Sequence, residues 1–588
     1  MPAHRPLRLL LVLAGSFLLQ PPAPSQQPAA SHAADKESFS AGVAALQRGD
    51  LTAARSAFAA AARQDPRDAR AQSALGMVLL QLNEPKPAAA ALRAAVALEP
   101  GSASLRILLS RALLASGDAA GALREANAAT RATPGDPQGH VARARALQAS
   151  SQLFEAISAM RQAVALQPTS PELHDGLGSL LALQNDSSNA ILEFEQALRL
   201  DPAYASAHLH LGVVQFEQRQ FVSAEDHLAR ASELDPRNFL AFDYLGRVQR
   251  ELGKVTEAIA AFRASLRLHP DQPEVLNSLG LALQRAGNPV DASTAFRELL
   301  KLQPQNASAQ NNLGLALLQS GDGDGAIAAF RAALRLRPND TGFAGNLGAA
   351  YLQKADFAAA AQEFRSALAR DPQNQSLHYN LGLTLKLQDK LSEAVAELRA
   401  AEAINPGQPD APYTLGVTLW QMGEADAAVG ELQKAIAAKP DYAEAFYTLG
   451  TVLKQQSRLQ ESAAALREAV RLEPDFAGAH TTLAAVLRQL GDSDGAAAEA
   501  RLGAELARQK TSLQAALFAT NSGRRLRNLG DLDGAVSQFR AAIQAVPDYA
   551  PAHFELAIAL RQAGKKQEAQ EEFRKAAALD PKLIPPES

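Results

Sequence analysis

Eleven histidines and three aspartate–glycine turns are the residues of this sequence best suited to chemistry. Six of the histidines, His140, His174, His208, His378, His480 and His553, share one frame: they are separated by 34 residues or a multiple, the last after an extra five. Imidazoles bind metals and carry protons, but a metal needs several donors converging on one point, and this spacing gives one imidazole per repeat. His208 and His210 are two apart and point to different faces of a helix. The frame therefore predicts partly buried structural histidines, packed against neighbouring helices. GDGDG (321–325), GDSDG (491–495) and GDLDG (530–534) are similar to calcium loops. They lack the further ligands and the late glutamate of such a loop, which leaves helix capping as the stronger reading. GLGSLL (176–181) falls inside a helical stretch and reads as packing, not as a phosphate cradle. There is no P-loop and no GxSxG, and with no cysteine there can be no disulfide, thiolate metal site or cysteine nucleophile. The expectation is a protein with no catalytic residue, no cofactor and no metal.

The elements that carry these residues are set by a repeat. Prolines stand at 66, 100, 134 and every 34 residues to 474, then after a slip of five at 547 and 581. With proline as slot 32, slot 1 of the first repeat is Asp35, and sixteen repeats follow: fourteen over 35–510, an insert at 511–515, and two over 516–583. A tail of 584–588 remains. Slot 8 is glycine in twelve repeats, otherwise Ser110, Ala144, Ala484 or Ala557. Slot 20 is alanine everywhere except Ser462, and slot 24 is commonly Phe or Leu, as at Phe58, Phe262, Phe330 and Leu398. Slots 4, 7, 8 and 11 share one helical face, and slots 20, 24 and 27 share another. Small residues at 8 and 20 let two helices approach. Gly-Asp at slots 15–16 (49–50, 117–118, 321–322, 530–531) ends the first helix in the left-handed region and caps the second. Proline at 32 stops the second helix. Each repeat is thus a helix–turn–helix that cannot bury its apolar faces alone.

The slots W/Y/H-x-x-L-G…A…F…A…P at a 34-residue period resemble the tetratricopeptide repeat over 35–583. The resemblance implies an all-α, right-handed solenoid whose first helices line a concave groove. Repeat 14 departs from the pattern with Ala500, Gly503 and Arg508, and the insert follows it directly. A distortion of the stack with a longer second helix is expected there. Repeat 16 carries the charged stretch KKQEAQEEFRKAAALD (565–580), which suits a terminal repeat that no neighbour covers.

Composition bounds the partners. The chain has 588 residues and a net charge of −4, with pI near 6.3, and gives no reason to expect nucleic acid or an anionic membrane. Residues 1–34 read as an export signal with a short linker: Arg5 and Arg8, then the apolar run 9–19, then a stretch of small residues. Cleavage after Ala33 fits the small-residue rule, with Ala23, Ala30 and Ala34 as rivals. The apolar run is short of the ~20 residues that a spanning helix needs, and no cysteine is present for lipidation. The expectation is an exported, periplasmic or extracellular protein.

Slots 2, 5, 9 and 12, with 6 and 13 beside them, should face the groove. Slot 6 gives Asn312, Asn346 and Asn380, with Asn277 and Asn311 at slot 5 just before. An amide both donates and accepts, so a column of them can hold a peptide backbone. The column resembles the asparagine ladder in the repeat superhelix of O-linked N-acetylglucosamine transferases. It is shorter than that family's ladder, and the chain has no transferase domain. The alternative is that these amides bond their own stack. Slot 5 gives Tyr379, Tyr413 and Tyr447, three of eight tyrosines. They form either a recognition column or fillers between adjacent first helices. The former is favoured because slot 5 elsewhere accepts Ser73, Asp175 and Thr481. Slot 12 gives Lys386, Trp420, Lys454, Arg488, Arg527 and Arg561, a basic column interrupted by the single tryptophan. It suits acidic segments or is a solvated face. Slot 13 adds Gln421, Gln455, Gln489 and Gln562. The expected function is a non-catalytic scaffold that binds extended polypeptide. The alternatives are an accessory subunit presenting substrates to a separate enzyme, such as a glycosyltransferase, and a glycan-binding solenoid.

Overall fold

The computed structural model describes residues 33–583, with side chains from Glu37 onward. The expected export segment, apart from the backbone of its last two residues, and the tail lie outside the described residues. The chain forms 31 helices and no strand among those residues. It divides into two compact blocks, one ending at Ala316 and the other beginning at Leu317, a boundary inside the first helix of repeat 9 (Ala307–Gln319).

Within each block the slot frame is the packing frame. A Cβ placed on Gly348 would sit 2.6 Å from the Phe364 ring, and one on Gly382 would sit 2.7 Å from Leu398 Cγ. Slot 8 must therefore stay small where slot 24 is large. The slot-24 side chains Phe58, Phe194, Phe262, Phe296, Phe330, Phe364 and Phe539 are wholly buried. Two exceptions to the small-residue rule show how it bends. Ser110 at slot 8 donates its Oγ proton to the slot-20 carbonyl of Ala122 (2.9 Å), and Ser462 at slot 20 donates to the slot-8 carbonyl of Gly450 (2.6 Å). Each hydroxyl bonds across the interface that it would otherwise hold apart.

The turns behave as capping predicts. Asp322, Asp492 and Asp531 accept from the backbone N–H of Gly325, Gly495 and Gly534, each at 2.9 Å, so these carboxylates cap helices. Slot 15 is left-handed in every repeat, including the seven without glycine: Asn83, Ser151, Asn185, Arg219, Ala355, Asp389 and Ser457.

Repeats 14 and 15 realise the expected distortion in one continuous helix of 36 residues, Ser493–Asn528. It replaces the second helix of repeat 14, the insert and the first helix of repeat 15. No proline interrupts it. Its two ends pack as ordinary repeats, with Ala496 and Gly503 buried at one and Ala516, Ala519, Thr520 and Gly523 at the other.

Beyond helices consecutive in sequence, contacts in each block run between first helices of successive repeats. The first helices are thus the crowded side of the stack, where columns of side chains 34 residues apart come together.

Candidate binding surface

The second block carries most of the expected site. Asn346 and Asn380 are half-buried on successive first helices, Thr341–Gln353 and Gln375–Leu387. The Asn380 carbonyl accepts from Thr384 Oγ1 at 2.6 Å, while its side-chain amide has no partner among the described residues. The tyrosines are half-buried, and each makes a contact of the packing kind considered for it. Tyr379 OH lies 3.4 Å from Thr414 Oγ1 of the next repeat. Tyr413 packs on Tyr442 with ring centroids 5.0 Å apart, and Tyr447 packs on Phe476 at 4.8 Å. Tyr442 and Phe476 occupy slot 34, the residue that begins the next first helix, so each ring pair ties one repeat to the following one. That second aromatic column was missed in the sequence because slot 34 lies in the turn. Burial, then the nearby Tyr413, Asp410, Glu444 and Tyr379, push the Tyr442 phenol above its ordinary pKa.

The basic column divides. Lys386 and Lys454 are half-buried and Arg488 is exposed, and none of the three has a carboxylate partner among the described residues. Burial pushes the Lys386 ammonium down. Arg527 is instead neutralised: it and Arg524 both bond Glu555, the latter at 2.7 Å. Arg561 lies over the Phe573 ring at 5.6 Å. Trp420 spends its only donor on Gln455 Oε1 at 2.6 Å.

The first block, with Asn312 half-buried near its end, corrects one expectation. Asn312 accepts through its carbonyl from Gln284 Nε2 at 3.4 Å. Slot 5 is not open to solvent here: Asp175 and Asp243 are buried. Asp175 is held by His210 Nδ1 at 2.7 Å and Asp243 by Arg247 through two bonds of 2.8 and 2.7 Å. A charge at slot 5 therefore does not mark an exposed slot, because a neighbouring base satisfies it. Like that of Arg143, the Arg145 Nε is buried without a hydrogen-bond partner. Burial, then the like charge of Arg111, push the Arg145 guanidinium below the ordinary value.

The slot-4 histidines are structural in a specific way. In His174, His378, His480 and His553, Nδ1 lies 2.5–2.6 Å from a glutamate at slot 23 of the same repeat. Nε2 lies 2.8–3.1 Å from the carbonyl oxygen of the proline that closes the preceding repeat. Arg106 makes the same bridge, to Glu125 and to Pro100 O. His208 bonds Pro202 O and, at slot 23, His227. Slot 4 thus staples three segments with one side chain.

Two tetratricopeptide-repeat family models match the sequence, one over residues 39–103, 413–475, 447–510 and 520–584 and the other over 85–146 and 317–382. The chain is a tetratricopeptide-repeat protein. A model of the cilia and flagella-associated protein 70 C-terminal domain also matches residues 131–346. No curated protein matches. Among solved structures, the APC/C hetero-tetramer Cut9-Hcn1 is similar at 15% identity and TM-score 0.34, over 77% of this chain and 96% of that one. YrrB, described as a TPR protein with an unusual peptide-binding site, is similar at 21% identity and TM-score 0.30, over 31% and 95%. MamA is similar at 25% identity and TM-score 0.27, over 28% and 96%. No helix among the described residues of this tetratricopeptide protein is long and apolar enough to cross a membrane.

Proposed function

We propose that this tetratricopeptide protein is a non-catalytic scaffold that binds an extended, acidic polypeptide along the first-helix face of its second block. The reading rests on one observation: the Asn380 amide and the Lys386 cation on the first helix of repeat 11, and the Lys454 and Arg488 cations on the first helices of repeats 13 and 14, have no side-chain partner among the described residues. An amide with donor and acceptor open fits a peptide backbone, and three uncompensated cations fit carboxylates along it. Tyr379, Tyr413 and Tyr447 add half-exposed rings fixed by their own packing, so little side-chain entropy is lost on capture. Asn346 sits in the same column, and Trp420 presents a ring whose N–H is already committed.

The test uses residues that hold nothing else together. A library of acidic, extended peptides should bind the full chain and lose most of its affinity to the double variant Asn380→Ala, Lys454→Glu. Neither side chain bonds another described residue, so folding should be unchanged, and equal binding by the two proteins would refute the reading.

We further propose that the protein is exported and works outside the cytoplasm, from the pattern of residues 1–34. Protein purified from its own cells should begin at Ala34. Recovery of a chain starting at Met1 would remove the proposal.

A further inference from the structure

The slot-4 staple follows a pairing from which one repeat departs by leaving its acid with no partner at all. In repeats 3, 5, 11, 14 and 16, slot 4 is Arg or His and slot 23 is Glu: Arg106 with Glu125, His174 with Glu193, His378 with Glu397, His480 with Glu499 and His553 with Glu572. Where slot 4 is Ser38, Gln72, His140, Phe242, Leu276, Gln310 or Phe446, slot 23 is alanine. The acid thus accompanies a base in five repeats, while His140, whose Nδ1 is buried without a partner, and His208, which faces His227, are bases without the acid. Two repeats keep the acid alone. In repeat 12, Pro412 leaves Glu431 to Lys434, which takes it at 3.1 Å. In repeat 10, slot 4 is Ala344, and Glu363 has no hydrogen-bond or ion-pair partner among the described residues.

A shallow depression of about 460 Å³, largely open to solvent, lies there. Ala344, Leu347 and Leu334 line it together with Glu363, Pro338, Ser366, Arg331, Arg335 and Arg370. Ala344, Glu363 and Pro338 are the three positions that a staple would join. Burial pushes the Glu363 carboxyl up despite the nearby Arg331 and Arg370, as expected of an acid left without its base.

The rim is also unlike that of any sister repeat. Arg370 is the single arginine at slot 30, where other repeats carry Leu, Ile, Ala or Gln. The second helix of repeat 10 ends at Leu368, after 12 residues, whereas its neighbour Leu391–Ile404 has 14, so Arg370 lies in the turn. Arg331 is committed to Tyr351 OH. Arg335 and Arg370 have no carboxylate partner among the described residues.

We propose that this depression is a binding site for a zwitterion, in which an imidazole or guanidinium takes the place of the missing slot-4 side chain and an adjacent carboxylate meets Arg335 and Arg370. The floor offers the acceptors, Glu363 and the Pro338 carbonyl, that sister repeats offer to their own His or Arg. The rim supplies two cations for an anion carried beside it. Free histidine or arginine has this chemistry, and so does a polypeptide ending in either residue. The site takes most of its lining from the second helices of repeats 9 and 10, with Ala344 and Leu347 from the first helix of repeat 10, and shares no residue with the peptide site proposed above.

Thermal melting and calorimetric titration of the full chain distinguish the outcomes. L-Histidine or L-arginine should raise the melting temperature saturably, while lysine and glycine at equal concentration should not. Short peptides ending in His or Arg should bind when the terminus is free and lose affinity when it is amidated. If only the free amino acids bind, the source is a small molecule; if the peptides bind more tightly, it is a partner's chain end. Ala344→His should raise the melting temperature without ligand and abolish the ligand shift. Glu363→Gln, which keeps the shape, should weaken binding at least about tenfold and decides the matter if Ala344→His does not fold. No saturable binding by wild type, or binding undiminished in Glu363→Gln, would overturn the proposal.

Discussion

Repeats 10 and 11 follow one another and share the packing slots, yet they use slot 4 in opposite ways. In repeat 11, His378 lies 2.6 Å from Glu397 Oε2 and 3.0 Å from Pro372 O, and the site is closed. In repeat 10, Ala344 leaves Glu363 facing a depression. The rims differ as well: Arg335 and Arg370 of the open site correspond to Ala369 and Ile404 of the closed one. A deletion that merely weakened the stack would require no added arginine such as Arg370. Arg335 stands at slot 29, where Arg63, Arg131, Arg199, Arg267 and Arg471 also stand, so the change paired with the base lost from the floor is the gain of Arg370 at the rim, and that pairing is what separates a ligand site from a packing defect.

The comparison breaks most forcefully if the closed site is opened. His378→Ala removes a side chain that bonds a carboxylate and a carbonyl and leaves Glu397 half-buried without its base. The loss should be about 2 kcal/mol, read as faster amide exchange in the helices Gln375–Leu387 and Leu391–Ile404. Imidazole at millimolar concentration should restore part of that protection. Here imidazole should serve as well as histidine, because no rim arginine is present to use the carboxylate. At repeat 10, histidine should be clearly better than imidazole. Equal preference at both sites would show that Arg335 and Arg370 play no part.

The sequence and the structure divide along a physical line. The period, the small residues at slots 8 and 20 and the aspartate caps are local or nearly local constraints, so they were readable column by column. The staple was not, because its meaning lies in a correlation between slots 4 and 23, nineteen residues apart on two helices. Reading slot 4 alone shows a partly buried structural histidine but not the glutamate and carbonyl that it joins. The same limit misled the reading of slot 5, where Asp175 suggested solvent although His210, 35 residues on, supplies its partner. The tyrosine column was visible, but its packing on Tyr442 and Phe476 was hidden in the turns that follow. For the groove itself, the sequence supplied the side chains, and the structure added which cations are already spent, Arg527 being the clear case.

A smaller effect sharpens the same pair of repeats at their turns. Both first helices end in a left-handed residue at slot 15, Ala355 with φ 59° and Asp389 with φ 60°. An L-residue pays for that conformation because its Cβ crowds the backbone carbonyl, whereas glycine does not. Aspartate tolerates it better than alanine, since its side chain can bond locally. Ala355→Gly should therefore stabilise repeat 10 by up to about 1 kcal/mol, partly offset by the greater freedom of glycine in the unfolded chain. Asp389→Gly should gain less in repeat 11. The two variants, compared by urea unfolding and by amide exchange in the flanking helices, should rank in that order. A larger gain at Asp389 would mean that the turn of repeat 10 is held by something other than its backbone, with the adjacent Asp356, which caps the helix Phe357–Leu368, as the group to change next.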